Sequence, residues 1–156
     1  MINTYLFDWG DTLMVDFPEA SGKMCNWQKV AAVAYAQETL ASLSQQAKIY
    51  IATGAADSTE TEIEKAFERV ELSQYISGYF CQANLGISKG SPEFLQTILA
   101  KLKTAPENVA MVGDNFNKDI QPALAVGIKP FWFTKQCIES APEQVKVIHC
   151  LTQLYK

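Results

Sequence analysis

Tyr5-Leu6-Phe7 runs apolar and stops abruptly at Asp8, with Gly10 and Asp11 close behind. A carboxylate delivered to a tight loop at the end of a buried strand can ligate a metal ion or act as a nucleophile. Three later stretches repeat the pattern of a polar group beside an apolar run: Thr53-Gly54 after Ile49-Tyr50-Ile51-Ala52, Lys89 in a loop after Gly78-Tyr79-Phe80-Cys81, and Gly113-Asp114 after Val109–Val112, with Asp119 five positions further on. Singly, each has an ordinary structural use. Asp-x-Gly-Asp closes a turn, Thr53 caps a helix, and Lys89 is a solvated surface charge. Together, at the carboxyl edge of one parallel sheet, they would gather carboxylates that repel one another unless a cation intervenes. Oxygen donors without His or Cys favour a hard ion, so the expected cofactor is Mg²⁺.

The elements that must position these groups alternate between strand and helix. After the opening strand comes a polar, irregular stretch from Val15 to Trp27. From about Gln28 to Gln45, Val30, Val33, Ala34, Ala36, Leu40 and Leu43 recur near helical spacing and predict an amphipathic helix. Ile49–Ala52 predicts the second strand. Asp57 or Ser58 is expected to cap a helix that carries Ile63, Ala66, Phe67 and Val70. Ser91-Pro92-Glu93 starts a helix expected to end near Lys103, Val109–Val112 is a fully apolar strand, and Gly127 terminates the helix after Asp119. Lys129–Phe133 and Val145–Ile148 predict two more strands, and Cys150 to Tyr155 a closing turn or two of helix. Apolar strands alternating with helices predict an α/β fold, a three-layer, doubly wound parallel sheet with right-handed crossovers.

At 156 residues the chain is expected to form one domain, 1–156, without staples. A net charge of -4 with no basic block excludes a partner tracked along a nucleic-acid backbone, leaving a phosphorylated end as the one nucleic-acid substrate. No apolar run reaches membrane length and the N-terminus has no basic n-region, so no membrane partner is expected and the location is expected to be cytoplasmic. Cys25, Cys81, Cys137 and Cys150 show no Cys-x-x-Cys spacing, which predicts reduced, structural thiols and no zinc. His149, the single histidine, follows an apolar run and is expected to be structural.

From Leu6 to about Leu154 the chain resembles the haloacid dehalogenase superfamily of aspartate-nucleophile phosphohydrolases. The resemblance rests on Asp8-Trp9-Gly10-Asp11-Thr12-Leu13, Thr53-Gly54, Lys89, and Gly113-Asp114-Asn115-Phe116-Asn117-Lys118-Asp119, in that order. It implies a Rossmann-like core and a Mg²⁺-dependent phosphomonoester hydrolase acting through an aspartyl phosphate on Asp8. The metal would be held by Asp8, the Gly10 carbonyl and Asp114, with Asp119 acting through a bound water or by orienting Lys89. Thr53, Gly54 and Lys89 would bind the phosphoryl oxygens. The chain departs from the family at Gly10, where a second Asp usually serves as general acid and base. The nearby acid is Asp11, which completes the expected catalytic set of Asp8, Asp11 and Lys89. Relatives without the second Asp, the dehalogenases and phosphonatases, depend on an inserted cap, yet here only about forty residues separate Asp8 from Thr53, and a loop and one helix use most of them.

A minimal or absent cap leaves the site open, which suits a macromolecular phosphate or a small phosphate covered by a neighbouring subunit of a homo-oligomer. An alternative function is a catalytically weak phosphate-binding or phosphorylatable module of the same fold. A signalling receiver domain also combines Asp, Thr, Lys and Mg²⁺, but it carries its acidic pair first and would be labelled on an Asp such as Asp57, and it lacks the late Gly-Asp-x-x-x-x-Asp.

Overall fold

The opening apolar run forms β1 (Thr4–Phe7), the central strand of the computed structural model, which describes Met1–Lys156. Five further strands flank it: β2 (Lys48–Ala52), β3 (Gly78–Phe80), β4 (Val109–Gly113), β5 (Lys129–Phe133) and β6 (Lys146–Ile148). All pairs are parallel and the order is β3-β2-β1-β4-β5-β6. Thr4 stands opposite Lys48 on one side and Val109 on the other, so the three central strands are in step and end together. The first half of the chain builds outward from β1 in one direction and the second half in the other. That reversal lies between β1 and β4, the place where an open parallel sheet leaves a crevice beyond its carboxyl ends.

Helices cover both faces, and the side-chain alternation of the strands assigns each residue to a layer. Phe7, Ile49, Ile51, Ala110 and Val112 face α1 (Ala36–Leu43) and α2 (Glu60–Glu68), packing with Leu40, Leu43, Ile63 and Phe67. Leu6, Ala52, Val109 and Met111 face the opposite way. They pack with Phe94, Leu95 and Ile98 of α4 (Pro92–Leu102) and Ala123 of α5 (Gln121–Val126). Leu6, Phe7, Phe67 and Phe94 are fully buried, each such side chain contributing about 1.5–3 kcal/mol relative to exposure. The expected three-layer parallel architecture is thus the observed one.

Two boundaries differ from expectation. The helix predicted over 28–45 begins only at Ala36, because Tyr35 adopts a left-handed conformation (φ 66°) and the backbone before it is irregular, with Ala32 bridged to Met14. There Val15 donates its N–H to Ala31 O at 2.9 Å and Val33 to Leu13 O at 2.8 Å, so Ala31 and Val33 pair with the loop after Asp11 instead of entering a helix. The second helix is capped at Thr59, one residue past Ser58 and two past Asp57: Thr59 accepts from Glu62 N at 3.3 Å, and Glu62 Oε1 accepts from Thr59 N at 2.9 Å, a closed capping box. The helix starting at Pro92 stops at Lys103 (φ 52°), and the one after Asp119 stops at Gly127 (φ 85°), both where the sequence indicates.

One short helix, α3 (Gln82–Leu85), has no periodic signal, since it is held by Asn84, whose Oδ1 accepts from Cys81 N and whose Nδ2 donates to Tyr79 O. No helix is long and apolar enough to cross a membrane. All four cysteines are unpaired thiols. His149 lies just past β6, its backbone N–H donating to Gln153 Oε1 and its Nδ1 2.7 Å from Thr134 O.

Candidate active site

Three of the predicted site residues, Asp8, Thr53 and Asp114, sit one step beyond a strand. Asp8 donates its N–H to Val112 O at 2.9 Å, and Thr53 donates its own to Phe80 O at 3.0 Å. Asp114 follows β4 directly, its carbonyl accepting from Trp132 Nε1 at 3.2 Å. Because β1 and β4 are neighbours, Asp8 and Asp114 face each other across the crevice. Asp119 reaches the same point from a π-helical turn, Phe116–Ile120, that follows β4. Carboxylate oxygens of Asp8, Asp114 and Asp119 lie within 4.8 Å of one another.

Lys89 crosses from the far loop into this group. Its side chain is 4% exposed, and its ammonium lies 2.7 Å from Asp8 Oδ1 and 2.5 Å from Asp119 Oδ1 while donating to Ala52 O at 2.8 Å. The stem runs past Gly54, where a Cβ would meet that of Lys89 at 3.4 Å, in van der Waals contact. Asp8 Oδ2 accepts from Thr12 Oγ1 at 3.2 Å, and Asp119 Oδ2 accepts from Asn115 N at 3.0 Å. Thr53 is buried, and its hydroxyl oxygen accepts from Ala55 N at 3.1 Å, so its own proton remains free to donate outward.

A family model for haloacid dehalogenase-like hydrolases matches residues 26–127, about two-thirds of the chain. The chain belongs to this family. The matched stretch includes Thr53, Lys89, Asp114 and Asp119, and begins after Asp8. A phosphoserine phosphatase from Thermus thermophilus is 32% identical over 72 residues, which are 46% of this chain and only 29% of that protein. Among solved structures, an uncharacterized protein from Listeria monocytogenes serotype 4b superimposes with a TM-score of 0.84 at 18% identity, covering 98% of this chain and 94% of the other. HAD-hydrolase YfnB from Bacillus subtilis, solved bound to magnesium, gives 0.78 at 15% identity over 99% and 97%. A predicted phosphoglycolate phosphatase from Haemophilus somnus gives 0.75 at 14% over 98% and 96%. These likenesses carry the fold.

The electrostatics of this family member's crevice follow from three carboxylates against one ammonium. Burial works against the charge of Lys89, but Asp8 and Asp119 outweigh it and hold its pKa above the ordinary value. Burial pushes Asp119 up, with Lys89 opposing and Asp8 adding to the shift. Asp114, which has no ammonium of its own, is pushed up to about 7 by burial and then by Asp8 and Asp119. A cation would remove this conflict. The Gly10 carbonyl, on the same loop, accepts no hydrogen bond within the protein. Hard oxygen donors with an excess of negative charge fit a divalent ion such as Mg²⁺.

Asp11, the acid expected to cover for Gly10, is exposed and has φ 61°. Its Oδ1 accepts from Asp16 N at 3.0 Å, so the carboxylate braces the turn between the two aspartates. Asp16 itself has no counterpart among the residues singled out from the sequence. It lies against Gly10, where a Cβ would stand 3.4 Å from Asp16 Cβ and 3.6 Å from Asp16 Oδ2. Burial, then Asp11 and Asp8, raise its carboxyl pKa. Arg69 was also outside the sequence reading: its guanidinium donates to the carbonyls of Trp27 at 2.5 Å and Cys25 at 3.3 Å, tying the loop after Asp16 to the helix that ends at Glu68.

Gly113 is where the site tolerates least change. A Cβ there would fall inside the carboxylate of Asp119, which is 1% exposed and cannot swing aside. Gly113→Ala is expected to lower stability by about 1–3 kcal/mol, the ordinary cost of overpacking, while moving Asp119 off Lys89. Urea unfolding measures this, and a variant within about 0.5 kcal/mol of the parent would show that the crevice is looser than its geometry.

Proposed function

We propose that the chain is a Mg²⁺-dependent phosphomonoester hydrolase acting through an aspartyl phosphate on Asp8, and that residues 1–156 form its single catalytic core domain. The observation that carries this reading is the buried ammonium of Lys89 held between Asp8 and Asp119 at the crevice where Asp114 and Thr53 also arrive. An anionic carboxylate approaches an anionic phosphate only where positive charge is fixed in advance, and this arrangement fixes it. A carboxylate oxygen of Asp8 attacks phosphorus, the ester P–O bond breaks, and the departing oxygen takes a proton. Water then attacks phosphorus, the bond to Asp8 breaks, and inorganic phosphate leaves. Thr53, its hydroxyl oxygen oriented by Ala55 N, donates to a phosphoryl oxygen beside Gly54, and Lys89 carries the charge that the transferred group presents. Asp8, the Gly10 carbonyl, Asp114 and Asp119 would hold Mg²⁺, which when bound would neutralise the carboxylates and polarise the phosphoryl group.

The substrate is a phosphorylated small molecule or the phosphorylated end of a macromolecule, since the segment between β1 and α1 has only a 3-10 turn, Met24–Asn26, and no inserted domain. In the small-molecule case a neighbouring subunit covers the open site. The free thiols suit a cytoplasmic location. A screen of sugar, nucleotide, lipid-head, peptide and amino-acid phosphates, phosphoserine included, run with Mg²⁺ and with EDTA, tests the reading. Hydrolysis that EDTA abolishes supports it. Phosphate binding or stoichiometric phosphorylation without turnover would favour the alternative, a phosphate-responsive module, which the missing carboxyl at Gly10 favours.

Metal binding has a readout that does not depend on activity. At a hundredfold excess over Kd, Mg²⁺ should stabilise the fold by about 3 kcal/mol, roughly 5–10 °C in Tm for a chain of this size. The shift should depend on pH. Asp114's raised pKa means that folding without metal favours its protonated form, so this group's contribution to stability falls as pH rises from its ordinary value of 3.8 to about 7. Mg²⁺ displaces that proton, and its affinity should weaken about tenfold per unit below pH 7. The Tm gain should therefore be large at pH 8 and nearly absent at pH 5; an equal gain at both would remove Asp114 from the ligands. Asp114→Asn should flatten the dependence.

A further inference from the structure

Hydrolysis of an alkyl phosphate needs a group that protonates the leaving oxygen, and the four acids already assigned to the site are otherwise engaged. Asp8 is the nucleophile, Asp119 is locked between Lys89 and Asn115 N, Asp114 belongs to the metal cluster, and Asp11 accepts the Asp16 N–H. Asp16 remains. Its carboxylate accepts no hydrogen bond from the protein and is exposed toward a cavity of about 260 Å³ that it lines with Gly10, Trp27 and Thr53. It occupies the space that a side chain on residue 10 would enter, with Cβ–Cβ and Cβ–Oδ2 separations of 3.4 and 3.6 Å. Asp57 lines the same cavity but accepts from Ser58 Oγ at 3.1 Å, and the side chain nearest a Cβ on residue 10, within 4 Å, is that of Asp16. Asp16 is also held in place from both sides: its own N–H is bound by Asp11, and the preceding Val15 N–H by Ala31 O.

We propose that Asp16 is the general acid and base of this site, its carboxyl reaching from six residues further along the loop into the place left by Gly10, with Asp11 as its positioning residue. The proposal rests on the phosphatase reading above. In the first step the Asp16 carboxyl gives its proton to the ester oxygen as the P–O(R) bond breaks and the bond from Asp8 to phosphorus forms. In the second, the resulting Asp16 carboxylate takes a proton from the attacking water as the Asp8–P bond breaks, which returns Asp8 as a carboxylate and Asp16 as an acid.

The test compares the parent, Asp16→Asn and Asp11→Asn on an aryl phosphate and an alkyl phosphate with Mg²⁺. Acid-quenched protein is weighed by mass spectrometry alongside. Asp16 is exposed and makes no side-chain hydrogen bond, so Asp16→Asn should fold as the parent does. We expect Asp16→Asn to lower alkyl phosphate kcat/KM by about 10²–10³-fold. On the aryl phosphate, whose leaving group needs little protonation, it should keep a burst of phenolate while steady turnover slows and phosphorylated Asp8 accumulates. A role confined to structure would move both substrates together and would leave no phosphoprotein. Asp11→Asn, which keeps an acceptor for the Asp16 N–H, should cost much less than Asp16→Asn. Gly10→Asp in an Asp16→Ala background should recover alkyl phosphate turnover, because Gly10 does not occupy the left-handed region and truncating residue 16 vacates the space that a side chain on residue 10 would enter. If Asp16→Asn matches the parent on both esters and accumulates no phosphoprotein, this proposal falls and the phosphatase reading stands. If the parent hydrolyses neither ester in a Mg²⁺-dependent way, the phosphatase reading fails and takes this one with it.

Discussion

Asp8→Asn should remove hydrolysis altogether, lowering kcat by at least about 10⁴-fold, the scale on which covalent nucleophiles are lost. The substitution keeps the shape of the side chain and an oxygen that can accept from Lys89, while its amide can donate to the Thr12 hydroxyl oxygen, so what it removes is charge and nucleophilicity. Stability should hardly fall and should rise where no metal is present. Three carboxylates share one ammonium in this crevice, and neutralising one of them relieves the repulsion that raises Asp114. The expected result is thus an inactive, fully folded protein that no longer takes up a phosphoryl group on residue 8, read by steady-state assay, thermal unfolding and intact mass. An active Asp8→Asn variant with unchanged metal dependence would sink the mechanism. Labelling at Asp57 instead would point to a receiver-like protein.

How far such a site could be read from the sequence depended on where its residues sit relative to the sheet. Asp8, Thr53 and Asp114 were legible because strands buried on both faces are continuous apolar runs, and the polar residue ending each run is conspicuous. The pairing of β1 with β4 then brings two of them together without any long-range information beyond strand order. Helices were legible where a cap or stop was chemically distinct, as at Pro92 and Gly127. The overlong helix over 28–45 shows the limit: Val30 and Val33 have helical spacing, yet the backbone of Ala31 and Val33 pairs with Val15 and Leu13, a partnership that periodicity cannot express.

Lys89 and Asp16 mark two further kinds of illegibility. A lysine in a polar loop looks the same whether solvated or buried, and only the fold brings its ammonium across to Asp8 and Asp119. Asp16 lies in a stretch with no period at all. Its position follows from the turn at Asp11, with its left-handed backbone, and from the bridging of Val15 to Ala31, so neither spacing nor residue type distinguishes it from Glu19 nearby. Arg69 is a similar case, since it recognises backbone carbonyls, which carry no sequence signal.

Lys89→Ala should damage both activity and stability, and the two losses should respond differently to conditions. The ammonium's pKa is raised on folding, so its stabilising contribution is present in full below its ordinary value of 10.5, throughout the physiological range. Without it, Asp119 at 1% exposure and Asp8 face each other with no counter-charge, a loss of one partner from a buried ionic group that costs about 3–5 kcal/mol. The carboxyls can escape by taking up protons. Lys89 opposes the rise in the Asp119 pKa, so without it that folded pKa would stand further above the unfolded one, and the deficit should be largest at pH 8 and shrink toward pH 5, where protonation removes the repulsion. Mg²⁺ at pH 8 should recover much of the lost stability by supplying charge to the same oxygens. Activity should not follow. Losing a preorganised charged donor costs about 10²–10³-fold in kcat, and the metal cannot stand where the ammonium met the phosphoryl group. Urea unfolding at pH 5 and pH 8, with and without Mg²⁺, alongside kcat/KM, reads all of these. A pH-independent stability loss would mean that the cost is packing of the lysine stem against Gly54, and a small change in kcat/KM would return Lys89 to a purely structural role.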